Sequence, residues 1–322
     1  MTGINLLEYA KGFDIGSKQR AIIELFPEAV DFMGVIPFMS APGGVYRYEE
    51  EGALATNVAF RAINEEPAKG FGLILDRVEQ CYPIAGNIDV DRVLINRHGM
   101  ERRAQVERMR VKEKASLWAN TFMFGNNATN ARAYTGMRNR LKAVGGSVDG
   151  SNYMSRILAN SAASGGAAMS LAQLDRAIGL VDEPNAIIMP KALKDRFPAA
   201  ERDTGIGGFV TQDKDDMGRV VTRYNGLPIY CGYGITKFGE FLPFNEVGAG
   251  GGAAVTSSVY IVKFSDEGVC ALQTSPMEVT DMGMTDGGVF YRTNIEHDVG
   301  MAVLNPFAAM RFSSITNAAI VK

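Results

Sequence analysis

The chain has 322 residues, 46% of them hydrophobic, which suits two ordinary domains or one elaborated one around a sizeable core. Its formal net charge is −3. That argues against tight, sequence-independent nucleic-acid binding through clustered Lys and Arg, though not against a protein that encloses nucleic acid. Cys81, Cys231 and Cys270 stand far apart with no CxxC pair, so they read as free thiols of a reducing compartment. The start, MTGINLLEYAKGFDIG, lacks a basic-then-apolar signal segment, and no apolar run is long enough to span a bilayer. The expectation is a soluble chain made in a cytoplasm, with no membrane partner.

Residues 1–42 read as a helix-and-arm region. AIIELFPEAVDFM has helical spacing through Ile22, Leu25 and Val30, interrupted by Pro27 and closed by Pro37, Pro42 and two glycines. VYRYEEEGALATNVAFRAINEE, residues 45–66, follows as a β-hairpin. Its first arm is Val45 to Tyr48, Glu49, Glu50, Glu51 and Gly52 break it, and the second arm runs from Val58 to Ile63. An isolated two-stranded ribbon is marginal in water, and this one lacks a clean apolar face. Something outside it has to hold it. CYPIAGNIDVDRVLINRHG then offers short β-like pieces ended by Gly99.

The strongest helix is MERRAQVERMRVKEKASLWANTFMFG, spanning on the order of 35–40 Å. Val111, Ala115, Trp118 and Phe122 fall at i, i+4, i+7 and i+11 and form an apolar stripe. Arg102, Arg103, Glu107, Arg108, Arg110, Lys112 and Lys114 are assigned to the opposite, charged face. AVGGSVDGSN reads as a junction. SLAQLDRAIGLVDE is helical behind an N-cap at Ser170, NAIIMPKALKDRF is a buried strand entering a helix, and VVTRYNGLPIYCGYG is two strands about an Asn-Gly turn. After the glycine-rich VGAGGGAA come the strands SVYIVKF and VCALQT. A long antiparallel pair turning at Asp286-Gly287-Gly288 closes the chain. The fold class is α+β, in discontinuous pieces.

No catalytic constellation emerges. The two histidines, His98 and His297, lie far apart without ligand or acid–base spacing and read as structural. GAGGGAA ends without Lys-Ser/Thr and precedes a strand, so it reads as a mobile connector and not a phosphate loop. DKDD at 213–216 lacks the Gly and terminal Glu of a calcium loop. No GxSxG elbow and no Cys–His pairing is present. The reading is no enzyme, no metal and no cofactor.

The order of these parts resembles the tailed-bacteriophage major capsid proteins of the Hong Kong 97-like fold, over nearly the whole length. VYRYEEEGALATNVAFRAINEE resembles that family's extended loop. SLAQLDRAIGLVDEPNAIIMPKALKDRF is similar to its helix–strand–helix axial element, GRVVTRYNGLPIYCGYGI to the strand pair that follows, and HDVGMAVLNPFAAMRF to its closing strand and tail. The resemblance implies an N-terminal arm over 1–42 and an extended loop over 43–72. It implies a peripheral domain over 73–145 with a spine helix at about 99–124, an axial domain over 146–277, and returning peripheral strands over 278–322. It implies copies assembled as pentamers and hexamers in an icosahedral shell, in a virion formed in the host bacterial cytoplasm. The extended loop would lie across a neighbour, so that Arg47, Glu49, Glu50, Glu51 and Arg61 of the hairpin and Arg102, Arg103, Arg108 and Arg110 of the spine are the expected inter-subunit contacts. Its partners would be a separate scaffolding protein, a portal protein and double-stranded DNA held without sequence preference. The family's lysine–asparagine weld is not carried over, because the only nearby lysine, Lys69, stands at the hairpin's base. The alternatives are an encapsulin-like compartment shell of the same fold and, behind it, an unrecognised enzyme.

Overall fold

The computed structural model describes residues 30–53, 59–66, 69–70, 73–141, 156–201, 210–214, 220–232 and 240–321. Most of the helix expected in AIIELFPEAVDFM lies outside them; its described end, Asp31–Gly34, is a single 3₁₀ turn. That turn is pinned by Asp31, whose carboxylate accepts the N–H groups of Phe32, Cys231 and Gly232 at 2.8–2.9 Å. Burial raises the Asp31 carboxyl pKa above its ordinary value, and these three N–H donors work against the rise.

The chain continues through β1 (Phe38–Ser40), β2 (Val45–Ala53), β3 (Leu73–Gln80) and β4 (Tyr82–Asp91) into two helices, α1 (Arg92–His98) and α2 (Met100–Phe124). Asp91 caps α1 by accepting the Val93 N–H at 2.7 Å, and Gly99, at φ +77°, turns the chain between the helices. Next come α3 (Met137–Arg140), β5 (Ile157–Ala159), α4 (Leu171–Gly179), β6 (Ala186–Ile188), α5 (Lys191–Lys194), α6 (Phe197–Glu201), β7 (Val210–Lys214), β8 (Val220–Tyr224) and β9 (Leu227–Tyr230). β10 (Glu246–Val247), β11 (Ala254–Val262), β12 (Val269–Gln273), β13 (Glu278–Met284), β14 (Phe290–Val303) and β15 (Ala309–Thr316) complete the order.

A five-stranded sheet is built along β14. β4 runs antiparallel beside it, while β13 pairs its first half and β12 its second; β1 adds in parallel to β12. An eight-stranded sheet has the order β5-β15-β11-β6-β9-β8-β7, with β10 on β11. Ile187 and Ile188 of β6, and Tyr260 and Ile261 of β11, are buried on both faces of that sheet, which explains their unbroken apolar sequence. Ile188, Tyr260 and Val262 join the core that contains Trp118, Phe122 and the five-stranded sheet. Ile187 and Ile261 join a second core with Leu174, Leu193 and Phe197.

Four expectations change. CYPIAGNIDVDRVLINRHG is one ten-residue strand and a capped helix, because Asp91 begins a helix where the sequence reading saw β fragments. β12 falls inside the expected axial range, yet it pairs with β14. β15 falls in the expected returning strands, yet it pairs with β11 and β5 in the other sheet. GAGGGAA is a packed turn: Gly251 donates to the Gly248 carbonyl, Gly165 donates to the Gly251 carbonyl, and a Cβ on Gly250 would meet the Ala162 oxygen at 2.1 Å. Its glycines let two loops lie backbone to backbone.

Candidate subunit interface

β2 does not end at its glutamates, and its partner is not Val58–Ile63. The strand runs to Ala53 and pairs antiparallel with β3, from Val45 opposite Gln80 to Ala53 opposite Leu73, with an irregularity at Gly52. The sequence reading missed this because neither strand shows an apolar face. In a ribbon exposed on one side, charges at every second position cost little. Residues 59–66 form an irregular turn instead. Arg61 donates to the Glu65 carbonyl at 3.0 Å, the Ala62 N–H donates to the Glu65 carboxylate, and Phe60 and Ile63 stand in water.

The two faces of the ribbon differ. The inner one carries Tyr46, Tyr48, Leu75, Arg77 and Glu79, all half-buried. Tyr48 Oη donates to the Val303 carbonyl at 3.1 Å. Arg140 of α3 grips Glu79 with two bonds of 2.5 and 2.6 Å and also donates to the Thr135 and Met301 carbonyls. These contacts fasten the base of the ribbon to its own subunit. Neither Arg140 nor Glu79 stands out in the sequence, since one sits in a polar stretch and the other in a strand not foreseen.

The outer face carries Val45, Arg47, Glu49, Ile74, Asp76 and Val78, all exposed. Glu49 stands directly opposite Asp76. Like charges paired across strands are destabilising, so this position calls for a cation from elsewhere. Glu50 and Glu51 lie in the strand opposite Leu75 and Ile74; their side chains are outside the described residues.

On α2 the predicted stripe is the buried face, with Trp118 stacked on Phe122 at 5.0 Å. That stripe continues one row further than expected, through Glu107 and Arg103. Arg103 was expected to face a neighbour; it is buried in its own subunit. Its guanidinium binds Glu107 at 3.1 Å, Asp281 at 2.7 Å and Thr293 at 2.9 Å. The reason is position: 103, 107 and 111 share one helix face, and β13 and β14 supply the partners. Arg108 and Arg110 are exposed on opposite flanks of that stripe, Arg110 bonding Glu113 at 2.8 Å. The Arg102 side chain is outside the described residues. The structure thus leaves Arg47 and Glu49 exposed on the ribbon, Arg61 exposed in the 59–66 turn and Arg108 and Arg110 exposed on the helix, and removes Arg103 from the exposed set.

A buried ionic hub was also missed. Glu246 of β10 binds Arg311 of β15 at 2.8 Å and Arg138 of α3 at 3.4 Å, and accepts a hydrogen bond from the Ser258 hydroxyl of β11. It ties α3 to the larger sheet. The three thiols are shielded. Burial pushes the Cys81 thiol up to about 11 and those of Cys231 and Cys270 up to about 12, away from the reactive thiolate form. Among the described residues no three His, Cys, Asp or Glu side chains are grouped to hold a metal ion, and no helix is long and apolar enough to cross a membrane.

No protein-family model and no curated protein matches the sequence. Solved structures do match. A holo-encapsulin complex from Synechococcus elongatus PCC 7942 is 12% identical, with 89% of this chain covering 88% of that one at a TM-score of 0.59. The capsid of a native GTA particle is 14% identical, with 89% and 91% covered and the same TM-score, 0.59. The capsid of cyanophage A-1(L) is 14% identical, with 89% and 93% covered at 0.56. The chain therefore has the mixed α+β fold of these shells, the Hong Kong 97-like fold.

Proposed function

We propose that this chain is a major capsid protein whose copies assemble as pentamers and hexamers into an icosahedral shell around a phage genome. The observation that carries the reading is the β2–β3 ribbon. It is fastened at its base and presents an outer face of apolar side chains and unbalanced acid that its own subunit does not cover. The shared shell fold supports it. On this reading the ribbon is the extended loop, α2 with the five-stranded sheet is the peripheral domain, and the eight-stranded sheet is the axial domain. Glu49, Glu50 and Glu51 face Arg102, Arg108 and Arg110 of neighbours, Arg47 and Arg61 belong to the same subunit boundary, and Arg103 is left out. A separate scaffolding protein, a portal and DNA held without sequence preference are the partners, and the virion is the location.

The test is light scattering and electron microscopy of purified protein over a range of concentration and salt. Closed particles are expected; a monomer under every condition would end the reading. The likeness to an encapsulin keeps an encapsulin-like compartment as the second reading. The particles' contents separate the two: packaged DNA supports the first, an enclosed cargo enzyme the second.

A further inference from the structure

Among the described residues, Arg156 is a buried arginine that has no counter-ion. It stands just before β5, and its carbonyl accepts the Arg311 N–H at 2.8 Å, which fixes it at the end of the larger sheet. The residue is 5% exposed, and its Nε and Nη2 are buried with no hydrogen-bond partner. The other buried arginines are neutralised, Arg103 by Glu107 and Asp281 and Arg140 by Glu79. The turn beside it holds Asp182, whose N–H donates to the Phe307 carbonyl at 3.0 Å, and Glu183. Both carboxylates are already engaged by Lys263, at 3.9 and 3.1 Å.

What Arg156 does touch is an aromatic ring. Its guanidinium lies 4.0 Å from the centroid of Phe307, a side chain 47% exposed, with Leu180 exposed on the same turn. A buried guanidinium left unpaired is unfavourable for the subunit by itself. Nε and Nη2 form one edge of the guanidinium fork, the edge that takes both oxygens of a carboxylate side-on. An arginine on an aromatic platform within an apolar patch is also the make-up of an interface hot spot.

We propose that Arg156, beneath Phe307, is a docking point completed by a carboxylate side chain of a second copy of this chain. The chain carries the complement: its net charge is −3, and on the ribbon Asp76, which stands opposite Glu49, is an exposed carboxylate not assigned to the spine arginines. The Phe307 ring covers one face of the guanidinium, and the carboxylate meets it in plane, along the Nε–Nη2 edge. The isolated subunit thus holds an unneutralised charge that assembly neutralises. This inference rests on the shell reading, and its test separates the two.

Arg156→Leu removes the charge, and Arg156→Lys keeps the charge but not the fork. The unassembled Arg156→Leu chain is expected to melt at or above the wild-type temperature, because it gives up only the contact with the Phe307 ring and sheds an unneutralised buried charge, while particle yield falls tenfold or more. Arg156→Lys is expected to melt like wild type and also to assemble poorly. Phe307→p-benzoylphenylalanine, which retains the ring, is expected on irradiation to join a second copy at a peptide containing Asp or Glu. A lower melting temperature for Arg156→Leu would mean that a buried water or the subunit itself completes the site, and would overturn the proposal. Normal particles from that variant, or adducts confined to nucleic acid or to the same chain, would overturn it as well. If wild-type protein forms no particles, the shell reading fails. The crosslink then decides alone: an adduct between copies supports the docking point and its absence removes it.

Discussion

His297 shows how far burial alters a single residue. It is 6% exposed, its Nε2 lies 3.2 Å from Gln273 Oε1, and the ring sits 6.0 Å from that of Phe38. Burial first, and then the charge of Lys114, holds its pKa down at about 4. Lys114 itself donates to the Ile295 carbonyl, and burial lowers its pKa to about 8 against a smaller opposing effect of Glu296. The signs follow from proton counts. Between about pH 4 and 6.5 the unfolded chain binds a proton at position 297 that the folded chain does not, so stability falls as pH drops through that window. The full loss is on the order of 3 kcal/mol. Between about pH 8 and 10.5 the unfolded state again binds more protons, at Lys114, so this contribution to stability rises with pH there. Urea titrations at pH 7, 5.5 and 4.5 are expected to show a shallower acid loss in His297→Phe than in wild type. Equal slopes would refute the assignment. Nothing in the sequence marks His297 as buried beyond its place in an alternating strand. The lysine that depresses it comes from another element, and such pairings are set by tertiary structure.

At the scale of elements, legibility followed periodicity. The stripe from Val111 to Phe122, the Asn225-Gly226 turn with φ of +50° and +79°, and the β13–β14 pair all carry their signal locally. The ribbon did not, because β3 pairs with β2 across an intervening stretch and neither strand needs an apolar face. Nor did the exchange of β12 and β15 between sheets, which is a matter of nonlocal pairing. The ribbon makes opposite predictions at its two ends. Arg140→Met leaves Glu79 unpaired at a largely buried site, and breaking such a pair costs about 3–5 kcal/mol. Melting should fall accordingly, and proteolysis within residues 59–66 should accelerate. Replacing the exposed Glu49 by lysine should leave melting nearly unchanged, since a surface change is usually within about 0.5 kcal/mol. Glu49→Lys even converts a like-charge cross-strand pair with Asp76 into an opposite one. At a subunit boundary the same reversal opposes any basic partner, at a cost of several kcal/mol per contact. Sedimentation is expected to show lost particles with an unchanged melt; normal particles would remove the ribbon from the electrostatic contact.

For the whole molecule, the decisive feature is that the two sheets are not separately cored. Ile188, Tyr260 and Val262 of the larger sheet pack into the cluster that holds Trp118, Phe122, Phe38 and Val299. Arg138 and Arg311 converge on Glu246 in the same region. A division into independently stable domains would need a sparse boundary, whereas here the boundary lies within the core. The unassembled chain should therefore unfold as one cooperative unit although it is long enough for two. Trp118 is the only tryptophan of the 322 residues, so its fluorescence reports the helix and the shared cluster alone, while far-ultraviolet circular dichroism reports both sheets. The two signals should trace one coincident transition. Phe122→Ala removes the ring stacked on Trp118 and should destabilise the chain by about 3–5 kcal/mol. Because the core is shared, both signals should move together by the same amount. A variant in which fluorescence shifts to lower temperature while the circular dichroism transition splits or stays would show that the larger sheet stands on its second core, around Leu174 and Phe197, without the first.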